Sequence, residues 1–84
     1  MQRDHGACTK QIEAEAVIGP DCRSEVMEVK AQGVRMVFLY RWDDKHSGFR
    51  QVHQASISVG IDDDSVTVTD FPTPGRYRLA LLCS

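Results

Sequence analysis

Three cysteines and three histidines are this chain's natural ligands for a soft metal. His5-Gly-Ala-Cys8 has the two-residue spacer of a metal knuckle, Cys22 follows a Gly-Pro-Asp turn, and Cys83 is the penultimate residue. One imidazole and three thiolates can complete a closed tetrahedral zinc site. Such a site at His5, Cys8, Cys22 and Cys83 would tie both ends of a small domain together and supply folding energy. The plainer reading makes Cys83 a buried apolar residue and Cys8 and Cys22 incidental thiols. In an oxidising setting Cys8 and Cys22 could instead form a disulfide.

His46 and His53 flank a polar turn and the segment after it. With Asp43 or Asp44 they could bind a metal or supply a general base, which would make a small metal-dependent enzyme. A base needs a pocket, and nothing in the spacing demands one, so exposed turn and strand residues are the simpler reading. Asp62, Asp63 and Asp64 lack the spaced ligands and terminal glutamate of a calcium loop and read as a solvated turn. No nucleophile elbow, phosphate loop or cysteine-protease signature is present. The expectation is therefore a non-enzymatic chain with no catalytic residues and no cofactor other than the zinc weighed above. Tyr40, Trp42 and Phe49 gather around one hairpin, where exposed aromatic rings would anchor a protein partner. Trp42 is expected to be partly buried and Phe49 exposed. Arg76 and Arg78 lie on an outward strand face, and with the three rings they form the candidate interaction set.

These residues need elements to hold them. Eighty-four residues make one domain with a limited core. Residues 1–9 read as a flexible lead-in, and 10–84 as a single β domain. Ile12, Ala14, Ala16 and Ile18 alternate as in a half-buried strand, although the Glu and Ala content also suits a short N-terminal helix. Met27, Val29 and Ala31 mark a second strand. Val34, Met36, Phe38, Tyr40 and Trp42 share one face of a third, whose other face is also apolar at its centre, as in an interior strand. Residues 49–59 alternate as one strand, and Ser65-Val-Thr-Val-Thr69 has strong β propensity. After Pro72-Thr-Pro-Gly75, the residues Tyr77, Leu79, Leu81 and Cys83 recur at period two. About six strands separated by turn signals predict an all-β fold, a small antiparallel sandwich or partly open barrel.

Composition narrows the partners. A net charge of −2 argues against a general nucleic-acid binder, which needs a basic face. No apolar run reaches the ~20 residues of a membrane helix. Met1-Gln-Arg-Asp-His-Gly6 has no apolar run of the signal-peptide kind, so a cytoplasmic or virion-associated protein is expected.

Two segments carry a family resemblance. Tyr40-Arg-Trp-Asp-Asp44 resembles the Tyr-x-Trp-Asp strand and turn of polycystic-kidney-disease-type and broader immunoglobulin-like β-sandwich domains. Phe71-Pro-Thr-Pro-Gly-Arg-Tyr-Arg-Leu-Ala-Leu81 resembles their Pro-Gly-x-Tyr-x-Leu-x-Leu strand. The resemblance implies a sandwich used for binding or scaffolding without catalysis, with Tyr77 returning its hydroxyl to the backbone at a corner. The chain departs from that pattern where Asp44-Lys-His-Ser-Gly48 replaces a Gly-Asp-Gly turn. It also lacks a strand after Tyr77–Cys83, which would leave an edge for a second copy or a partner. A protein-interaction or structural module is the resulting expectation, of the kind found as a phage-type virion component or an inhibitor of a host protein.

Overall fold

A computed structural model describes residues 11–83. Among these residues seven strands run in the order β1 (Gln11–Ile18), β2 (Met27–Lys30), β3 (Val34–Asp43), β4 (Gly48–Gln51), β5 (Ser56–Val59), β6 (Ser65–Thr69) and β7 (Gly75–Cys83). One 3₁₀ turn, Cys22–Ser24, lies between β1 and β2. The strands form two antiparallel sheets, β1-β7-β3-β4 and β2-β6-β5, with no closure into a barrel.

Alternation decides what each sheet buries. Ala14, Leu79 and Leu39 stand side by side across β1, β7 and β3, and so do Ile12, Leu81 and Val37. Residues opposite one another in a ladder share a face. These rows meet Val66 and Val68 of β6 and Met27 of β2 in one apolar cluster. Tyr77, Phe71, Leu39, Leu79, Leu81, Val66 and Val68 are its largest fully buried side chains. The Tyr77 and Phe71 rings meet edge to face at 4.8 Å. The Tyr77 hydroxyl donates to the Thr73 carbonyl at 2.6 Å, so its polar end is satisfied at the corner before β7.

The structure decides one alternative and corrects two expectations. Residues 11–18 form a strand and not a helix, because the apolar period is two and β7 offers a full-length partner. The run 49–59 is two strands in different sheets, β4 and β5. Between them Val52 donates its N–H to the Leu39 carbonyl at 2.8 Å, and Val52 and Ala55 pack against the core. Val34 does not share a face with Met36. The β3–β7 register shifts between them, which buries Val34 and leaves Met36 51 % exposed. β7 lies inside its sheet, flanked by β1 and β3, as its apolar row requires.

Candidate interaction surface

The outward face of the four-stranded sheet collects the aromatic and arginine residues. Glu15, Arg78, Tyr40 and Gln51 are successive neighbours across β1, β7, β3 and β4. Beside that row, Val17 faces Arg76 and Trp42 faces Phe49. Tyr40, Trp42, Phe49, Arg76 and Arg78 therefore lie on one face, contributed by three strands. Trp42 and Phe49 meet edge to face with centroids 5.3 Å apart. The Arg76 guanidinium sits 5.7 Å from the Trp42 centroid and 5.4 Å from that of Phe49, and Arg78 lies 4.1 Å above Phe49. At these distances a guanidinium is attracted to the ring quadrupole. Trp42 is half-buried, as expected. Phe49 is half-buried too, and not open as expected, because Arg78 covers it.

Glu15 fixes both arginines. Arg76 Nε donates to Glu15 Oε1 at 2.9 Å, while Arg78 donates from Nε and Nη2 to Oε2 at 3.0 and 2.8 Å. The hydrogen bond from Arg76, then that from Arg78, holds the Glu15 carboxyl below its ordinary value. Glu15 was not singled out in the sequence. Its signal is the match between one acidic residue in β1, Glu15, and basic residues two apart in β7, Arg76 and Arg78. That match has meaning only once the two strands are known to pair. A groove of about 380 Å³ adjoins Arg78, and its lining includes Glu13, Phe38, Tyr40, Phe49 and Ala80.

The other candidate residues are spread through the fold. His46 Nδ1 lies 2.7 Å from Asp43 Oδ2 in the β3–β4 hairpin. That contact, aided by the Lys45 N–H and the charges of His46 and Arg50, keeps the Asp43 carboxyl below its ordinary range. Asp44 Oδ1 accepts from the Trp42 indole N–H at 2.7 Å. His53 is exposed in the connection between β4 and β5, and Asp62, Asp63 and Asp64 are exposed in the turn before β6. Cys22 and Cys83 are buried in the 3₁₀ turn and at the end of β7. His5 and Cys8 lie outside the described residues. Among the described residues no group of three or more His, Cys, Asp and Glu side chains could hold a metal ion, and no helix is long and apolar enough to cross a membrane.

Compared with known protein families, characterised proteins and solved structures, the chain matches none.

Proposed function

We propose that the protein is a non-enzymatic interaction module whose working surface is the outward face of the four-stranded sheet. The observation that carries this reading is the convergence of Tyr40, Trp42, Phe49, Arg76 and Arg78 on that face, with both arginines stacked on rings and tied to Glu15. Aromatic and arginine side chains are the residues that most often dominate binding energy at protein interfaces. Here they are already ordered, so a partner loses little rotamer entropy on docking. Glu15 also neutralises much of the arginine charge, which favours a protein partner over nucleic acid. The immunoglobulin-like resemblance agrees with a module that acts by contact, as a phage-type virion component or an inhibitor of a host protein does.

The experiment uses immobilised protein and extract from cells of its source. Wild type and a Glu28→Gln variant, altered on the other sheet, should retain the same partner. A Phe49→Ala/Arg76→Ala variant with unchanged circular dichroism should lose it. Equal retention by all three proteins would overturn the proposal.

A further inference from the structure

Among the described residues, four strands border the two sheets: β1 and β4 in one, β2 and β5 in the other. A bordering strand offers unpaired backbone groups, and folded proteins usually block it with charge, proline or a bulge. β1 carries Glu13 and Glu15, β2 carries Glu28 and Lys30, and β4 carries Arg50. β5 carries no such guard. From Gln54 to Ile61 the sequence is Gln-Ala-Ser-Ile-Ser-Val-Gly-Ile, with neither charge nor proline. All four residues of β5 are exposed, and the apolar ones are uncovered where burial would be favourable: Ile57 is 39 %, Val59 43 % and neighbouring Ile61 100 % exposed.

We propose that β5 is a self-pairing edge, where a second copy of this chain adds its own β5 antiparallel about a two-fold axis through Ser58. The backbone is set for it. The Gly60 N–H donates to the Ser65 carbonyl at 2.9 Å, and Val59 faces Val66 in the next position. Hydrogen-bonded and non-hydrogen-bonded pairs alternate along an antiparallel ladder. Ser58 and Ser56 therefore turn their amides toward β6, while Ile57 and Val59 turn theirs toward the open side.

The side chains select the register. Ile57 and Val59 face Val68 and Val66, so both lie on the core side of the sheet. With the axis at Ser58, Ile57 lies opposite Val59 of the second copy, and Val59 opposite its Ile57. Both are hydrogen-bonded pairs, and Ile61 falls beside Ala55 of the second copy. An axis at Ile57 would set Val59 against the small Ala55, and one at Val59 would draw on Ile61, which lies in the turn. The absence of charge makes the arrangement compatible with itself, because no like charges oppose across the axis. Two three-stranded sheets become one continuous six-stranded sheet, and the aromatic face of the other sheet stays open in each copy.

The contact is short, so dimerisation is reversible, with Kd on the order of 100 µM. Ser58 sits at the axis in a non-hydrogen-bonded pair, where Cα atoms approach to about 4.5 Å, and its side chain points to solvent in each subunit. Sedimentation equilibrium tests the geometry with Ser58→Lys and Ser58→Glu. Wild type should show a concentration-dependent dimer. Each variant alone should dimerise at least ~10-fold more weakly, because identical charges oppose across the axis, and an equimolar mixture of the two should recover the dimer. Wild type remaining monomeric up to ~1 mM, either variant dimerising as well as wild type, or a mixture no better than its components would each overturn the proposal.

Discussion

Glu15 is the side chain on which the order of the aromatic face depends. Its two oxygens divide the work, Oε1 for Arg76 and Oε2 for Arg78, and those guanidiniums in turn lie over Trp42 and Phe49. Removing the negative charge therefore loosens the rings as well as the ion pairs. The arginines favour the ionised carboxylate, so its pKa in the folded chain lies below the ordinary 4.5. The stabilisation is then complete above the unfolded-state value and is lost as pH falls through the lower folded-state value. Exposure to solvent keeps the effect small and sensitive to salt. Thermal melts of wild type and Glu15→Gln should differ near neutral pH and converge as pH falls through the folded-state value, below which the carboxyl is protonated in both states. Trp42 emission should change over the same acidic range. A difference in melting that persists undiminished into acid would show that Glu15 acts through packing and not through charge.

At the scale of elements, the turn into β7 is the most constrained. Gly75 has φ of +149°, and a Cβ there would stand 2.6 Å from Arg41 Nε. Arg41 cannot retreat freely, because it donates to the Pro74 carbonyl from Nε and Nη2 at 3.0 and 2.6 Å and to the Trp42 carbonyl from Nη1 at 3.1 Å. Gly75→Ala thus combines a disfavoured backbone angle with displacement of that clamp. It should lower the unfolding free energy by about 2 kcal/mol in urea denaturation; a cost within experimental error would mean that Arg41 swings aside without loss. This turn was legible in the sequence because proline and glycine announce it, and β7 was legible because its period-two row is unbroken. The split between β4 and β5 was not, since Val52 to Ala55 contain neither residue and the alternation runs on through a change of sheet. Nor was the inward face of β3, because Met36 and Phe38 on one side are as apolar as Val37 and Leu39 on the other. Pairing with β7 settles it, and so places Tyr40 and Trp42 on the surface while Leu39 is buried. The five candidate interaction residues could be named from type, but their meeting on one face required three strands in register.

At the scale of the whole molecule, pairing of β1 with β7 brings distant parts of the described chain together. β1 lies beside β7, joining residues as far apart in sequence as Glu15 and Arg78, which are separated by 63 positions. One apolar cluster spans both sheets, so neither has a core of its own. Folding should therefore be all or none, as is usual for a domain of this size. Leu79 offers the sharpest test, being fully buried in β7 between Ala14 and Leu39. Leu79→Ala leaves a cavity expected to cost about 3 kcal/mol, out of a total stability on the order of 5–10 kcal/mol. Trp42 reports on the outward face of the four-stranded sheet, and far-ultraviolet circular dichroism reports on all strands together. If the two sheets share one core, the variant should shift both urea transitions to the same lower midpoint, and the curves should superimpose as in wild type. Trp42 emission changing well before the dichroism would mean that the four-stranded sheet opens alone, leaving the aromatic face without a rigid support.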